Sequence, residues 1–247
     1  NYRLRIPTAA ERAGDFSNTR NLRGAVIPIF DPATTERVGA TGAARQPFPG
    51  NRIDASRIHP TARRLLDLLP MPNVADATAN YAITRAAERL RHQIDTRFDY
   101  SLSTSSKLFV RYSLTNRDDE VPGPFDPPLI GSTFFQQAFK DQVSHNVAVG
   151  QTQVFGSSHV NELRLGFNRI TDNLLPFVTD RFPDEFGFGG IPRVPGVTGM
   201  PRIAIGGFAN LGEATFLPNG KISEVLQAGD TFSFLRGRHA FKAGVNY

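Results

Sequence analysis

"HQIDTRFDYSLSTSSKLFVRYSLTN", residues 92–116, decides the fold. In its first half Ile94, Thr96, Phe98, Tyr100 and Leu102 fall on one side of an extended chain, and Asp95, Arg97, Asp99, Ser101 and Ser103 on the other. A period of two held over ten residues predicts a strand with two chemically different faces. The short turn at 103–106 follows, and alternation resumes with Leu108, Val110, Tyr112 and Leu114 on one face. The stretch reads as a hairpin of long strands.

The same design recurs downstream. "SHNVAVGQTQVF" meets the turn Gly156-Ser157-Ser158 and returns as "HVNELRLGFNRIT", where Leu163, Leu165 and Phe167 oppose Glu162, Arg164 and Asn168. "EVLQAGDTFSFL" meets Arg236-Gly237-Arg238 and returns as "HAFKAGVNY", where Phe241, Ala243, Val245 and Tyr247 oppose Lys242, Gly244 and Asn246. The hairpins cover about 92–116, 143–171 and 224–247, and the turns inside them are very short. The connections between them, about 117–142 and 173–222, are long and rich in Pro, Gly and Phe.

Strands of about ten residues, short turns at one end and long loops at the other are the pattern of a transmembrane β-barrel with periplasmic turns and extracellular loops. Each strand's apolar face would meet lipid, since backbone polar groups in hydrocarbon are satisfied within a closed sheet. Asp95, Arg97, Asp99, Glu162, Arg164 and Lys242 would face a wet or plugged lumen. Tyr100, Phe155 and Phe234, near strand ends, suit the interfacial aromatic girdle. A soluble antiparallel protein with one face on a core explains the alternation too. It explains the strand length, the short/long asymmetry and the density of charge on the polar faces poorly.

Residues 1–91 lack this periodicity. "IFDPATT" and "RQPFPGNRI" are dense in turn-forming residues. One helix stands out at about 60–69, "PTARRLLDLL", with Pro60 at its first position and Pro70 as its stop. Ile58, Ala62, Leu65, Leu66 and Leu69 would share a face. If strand 92–103 runs toward a periplasmic turn, residues 1–91 form one large extracellular loop segment containing this helix. The expected fold class is therefore all-β: an antiparallel meander of long hairpins, an incomplete part of a transmembrane barrel, behind a long irregular N-terminal segment.

Composition narrows the function classes. The net charge of +5 is dispersed among acids, as in "TNRDDE", rather than gathered into a basic patch, so no nucleic-acid partner is expected. The chain has no cysteine, which removes disulfides and thiolate metal sites. No apolar run approaches the roughly 18 residues of a membrane helix, which leaves strands as the spanning element. No G-x-S-x-G, H-E-x-x-H or Walker pattern occurs. His59, His92, His145, His159 and His239 are isolated, and "FGFGGIPRVPG" (186–196) lacks the strand-before, helix-after setting of a phosphate loop. No enzyme activity and no cofactor are expected. The 173–222 connection combines Phe177, Phe182, Phe186, Phe188, Arg193 and Arg202, residue types frequent in recognition surfaces. Phe182, Phe186, Phe188, Arg193 and Arg202 are the candidates for contact with an unknown extracellular ligand.

"IPTAAERAGDFS", "RQPFPGNRIDASRIHPTARRLLDLLPMPN", "QIDTRFDYSLSTSSKLFVRYS", "VFGSSHVNELRLGFNR" and "LRGRHAFKAGVNY" follow one another in order. The series resembles the TonB-dependent outer-membrane receptors of the Oar-like type, which often carry an N-terminal carboxypeptidase-regulatory-like domain. The resemblance implies a barrel of about 22 strands around a plug, consistent with the large plugged transporters. It also implies residence in the outer membrane among its lipids, energy drawn from the TonB complex, and uptake of a bulky substrate. Neither a plug nor a TonB box can be pointed to here, so the chain is expected to be an early barrel segment of a longer protein. A soluble or surface β-rich adhesin or carbohydrate-binding module is the alternative, and an outer-membrane enzyme would need a catalytic cluster that the sequence lacks.

Overall fold

The computed structural model describes residues 1–21, 23–131 and 137–247. Short elements come first: β1 (Tyr2–Leu4), α1 (Ala9–Arg12), β2 (Glu36–Val38), β3 (Gly42–Ala44), α2 (Pro60–Leu68) and β4 (Tyr81–Ile83). Long strands follow: β5 (Glu88–Ser103), β6 (Ser106–Val121), β7 (Ala138–Phe155), β8 (His159–Leu175), β9 (Asn219–Arg236) and β10 (His239–Asn246). The chain divides into two compact units. One, the loop unit, comprises Asn1–Ala86, Val121–Ala138 and Pro176–Leu217; the other, the sheet unit, comprises Ala87–Glu120, Phe139–Leu175 and Pro218–Tyr247.

The sheet unit is a six-stranded antiparallel meander in the order β10-β9-β8-β7-β6-β5, with β5 and β10 as its two edges. It is all-β and open. Register sorts the side chains, because residues directly opposite each other on neighbouring strands share a face. Phe98 lies opposite Val110 and Tyr100 opposite Leu108. Val149, Leu165 and Ala228 form one row across β7, β8 and β9, and Val147, Phe167 and Leu226 the next. Phe232 and Phe234 lie opposite Ala243 and Phe241. The Tyr112 hydroxyl meets His145 Nδ1 at 2.8 Å, which carries the same face across β6 and β7. Among the described residues no protein layer covers this apolar face: Phe98 is 76% exposed, Leu226 65% and Val245 71%. A soluble sandwich would bury such residues against a second sheet at roughly 1.5–3 kcal/mol each.

The strands are longer than the alternation suggests. The β5–β6 hairpin spans 88–121 rather than 92–116, β7–β8 spans 138–175 rather than 143–171, and β9 begins at Asn219 rather than 224. Beyond the alternating stretch apolar residues thin out on β5 and β6 and fall on both faces of β8, as at Leu174 and Leu175, so the period fades, yet backbone pairing continues and side chains reinforce it. Arg89 Nε bonds Asp119 Oδ1 at 2.9 Å across the β5–β6 pair, and Lys140 reaches Asp172 at 3.1 Å across β7–β8. The turns are as short as expected. Gly237 (φ 62°) takes the left-handed conformation that lets Arg236 pair directly with His239.

The loop unit has its own core. Ile6, Leu65, Leu69, Tyr81, Phe125, Leu129, Val178, Phe186 and Met200 are buried together, drawn from all three of its segments. The sequence reading treats 1–91 as one irregular segment and 117–142 and 173–222 as separate loops. In the structure, residues 1–86 share one hydrophobic cluster with the other two loops. Burial of scattered apolar residues outweighs their lack of periodicity. β1 pairs with β4, and Asn80 imitates a further rung by accepting from Ile6 N and donating to Ile6 O, both at 2.8 Å.

Candidate functional site

The loop unit holds a cleft of about 750 Å³. One wall is α2. Pro60 opens the helix, and His59 Nδ1 accepts the Thr61 amide at 3.2 Å as the N-cap. All five residues of the face laid out by the sequence, Ile58, Ala62, Leu65, Leu66 and Leu69, line the cleft, and Leu65 and Leu69 are also buried in the core. Arg12, at the end of α1, fixes the other end of the helix. Its guanidinium donates to Leu66 O at 2.8 Å, to Leu69 O at 2.9 Å and to Pro70 O, while its Nε donates to Pro7 O at 3.1 Å. The Leu66, Leu69 and Pro70 carbonyls lie in and just beyond the last turn of α2, where a helix leaves carbonyls short of intrahelical partners; Leu66 O accepts from Leu69 N as well, at 3.3 Å. Burial of the Arg12 guanidinium lowers its pKa, and the charge of Asp67 opposes that shift.

α1 is set by a capping box, in which Glu11 N donates to Thr8 Oγ1 at 3.3 Å and Thr8 N donates to Glu11 Oε2 at 2.8 Å. Glu11 Oε1 also accepts from Arg5 and from the Thr19 hydroxyl, each at 2.6 Å. Burial alone would raise the Glu11 pKa. The hydrogen bonds from Thr19 and Thr8 and the charge of Arg5 outweigh it and hold the carboxyl below its ordinary value.

The opposite wall is the 187–211 part of the third segment. Phe188, Ile191, Ile203, Ile205, Phe208 and Leu211 lie there. Arg5 stacks its guanidinium 4.1 Å from the Phe208 ring centroid. The lining is thus apolar, and its two charged side chains, Glu11 and Arg12, are both engaged by protein partners.

Of the candidate ligand contacts, Phe188 reaches the cleft. Phe186 instead packs into the core at 8% exposure, with Arg181 4.4 Å from its ring centroid. Phe182 lies beneath Arg193 at 5.0 Å, and Arg193 pairs with Asp184 at 2.6 Å. That ion pair holds the Asp184 pKa down. Phe177 contributes its amide to Glu213 Oε1 at 3.1 Å, and Arg202 is exposed. The six charged candidates of the sheet gather as a set. Register brings Asp95, Arg97, Asp99, Glu162, Arg164 and Lys242 to the single face opposite the apolar one. There Arg97 grips Asp99 through two bonds of 2.8 Å and lies 4.6 Å from the Phe109 ring. That ring occupies the space where a Cβ on Gly150 would stand, 2.1 Å away.

Sequence reasoning passed over most of the cleft. The capping box was legible in "TAAE", residues 8–11. Ile53, Ile205 and Phe208 gave no local signal. Among the described residues no group of three or more His, Asp or Glu is placed to hold a metal ion.

Compared with models of known protein families, residues 1–247 match the outer membrane beta barrel domain. No curated protein matches, and no solved structure does.

Proposed function

The chain belongs to the outer membrane beta barrel domain family and is part of a barrel protein of the outer membrane, and on that premise we propose that it serves energised, TonB-dependent uptake of a bulky substrate. The gathering of the long connections into one cored unit with an open cleft carries this reading. A barrel that only anchored itself would have no use for a folded loop unit; a receptor needs a surface that captures cargo. The chain enters and leaves that unit at the strand ends opposite the short turns, which supports reading the loop unit as exterior and the turns as periplasmic. The sheet face bearing Arg97, Asp99, Glu162 and Arg164 then lines the lumen, against water or a plug, and the face bearing Phe98, Leu165 and Leu226 meets lipid. The resemblance to Oar-like receptors points the same way.

The test uses cells carrying the full-length gene. Protease added to intact cells is expected to cut within 176–217, and cross-linking in living cells is expected to recover an adduct with TonB. Correct outer-membrane insertion without any adduct would remove energised uptake and leave surface binding, the adhesin alternative, in its place.

A further inference from the structure

We propose that the cleft of the loop unit binds an uncharged, predominantly apolar small molecule of alkyl or aryl character. This deepens the reading of the loop unit as the capturing part and rests on it. The volume of about 750 Å³ lies within the roughly 300–1,000 Å³ of pockets that enclose drug-sized ligands. The chemistry of the walls selects the class. A charged ligand would need a counter-charge, and neither the carboxylate nor the guanidinium of the lining is free: both oxygens of Glu11 accept from Thr8, Thr19 and Arg5. The Arg12 guanidinium is committed to carbonyls at the end of α2. Recruiting either would undo the joint between α1 and α2. An ion entering the cleft would lose water without compensation, whereas an apolar molecule would not.

The mouth carries the complementary signal. Ile205 lines the cleft yet is 60% exposed. An apolar occupant would take its side chain out of water. The walls leave backbone room as well, since a Cβ on Gly189 meets nothing within 4 Å. A side chain can therefore be added at this lining position without displacing a neighbour.

The experiment uses the full-length protein in isolated outer membranes and two photo-reactive probes, a neutral alkyne-tagged benzophenone and its carboxylate analogue. After irradiation, labelled residues are mapped by mass spectrometry. Saturable labelling by the neutral probe in peptides covering 53–69 and 187–211 is expected, with at least tenfold less from the carboxylate. Ile205→Glu, which places a charge at the mouth, and Gly189→Leu, which occupies the open space, should each reduce cleft labelling at least tenfold. Cleavage of the loop unit at the same sites and rate as in the parent shows that the unit still folds in either variant. Labelling confined to the sheet, equal labelling by both probes, labelling unchanged in both variants, or a cleft already covered by another part of the protein would each overturn the proposal. Cleft labelling in a protein that yields no TonB adduct would keep the ligand class and discard uptake; a TonB adduct without cleft labelling would do the reverse.

Discussion

The sheet unit and the loop unit solve the same problem, the hiding of apolar surface, by opposite means. In the sheet every strand pairs with its neighbours in sequence, and the apolar face is left without a protein layer among the described residues. In the loop unit three segments distant in sequence bury their apolar residues against one another. The first arrangement depends on solvent and backbone pairing; the second depends on side-chain packing. The difference teaches where each unit is vulnerable. The sheet should tolerate changes of packing and resist misplaced charge, while the loop unit should fail when one core ring is lost.

The largest effect expected is that of Phe125→Ala. Phe125 is 4% exposed and its ring lies tilted against that of Tyr81, centroids 5.8 Å apart. Truncation should destabilise the loop unit by about 3–5 kcal/mol, read as rapid proteolysis of the loops on intact cells while the heat-modifiable mobility of the barrel persists. Concerted loss of both would end the distinction between the units. Next is Phe167→Arg, in the row of Val147 and Leu226 on the lipid face, with an expected cost of about 2–4 kcal/mol for insertion into bilayers. Asn168→Arg, one residue on and on the charged face, should fold nearly as the parent does. Equal penalties would mean that the faces have been assigned to the wrong media. Thr8→Ala removes the cap of α1 and should cost about 1 kcal/mol, visible as faster hydrogen exchange in residues 8–13 with no change in the strands.

The smallest effect concerns Glu213. Its Oε1 accepts from Phe177 N and Val178 N, both at 3.1 Å, while its Oε2 is buried without a partner among the described residues. Burial raises its pKa, with those two amides opposing the shift. A carboxyl whose folded pKa lies above its unfolded value binds a proton more readily when folded. Its stability contribution is therefore full below the ordinary carboxylate range and is lost as pH rises through the folded value. Glu213→Gln keeps an oxygen acceptor and removes the charge. It should make the loop unit modestly more stable than the parent at neutral pH, and the gain should vanish in acid. Thermal proteolysis at the two pH values checks this, and an advantage independent of pH would assign the effect to packing instead.

Much of the sheet was legible in advance. Alternation placed the hairpins, and Gly156 and Gly237 marked turns in which each adopts φ of 62°. Parity alone told Arg97 from Phe98. The strand ends were not legible, because pairs such as Arg89 with Asp119 extend the ladder where the alternation of apolar and polar residues is no longer sustained. In the loop unit the helix at 60–69 could be read from its two prolines and its leucines. The placing of Phe186 in the core and Phe188 at the cleft could not, since two phenylalanines two residues apart carry the same local signal. What separates them is which neighbour each meets across some 120 residues of chain.

The sequence by itself determined the two faces of the sheet, the hairpins and the short turns, because a strand whose two faces meet different media must write that asymmetry into every second residue. Only the tertiary structure decided that residues 1–86, 121–138 and 176–217 form one unit, that Arg12 joins α1 to α2, and that a cleft opens between them. Burial rewards any contact among apolar side chains irrespective of their spacing, so a core assembled from distant segments leaves no period to read.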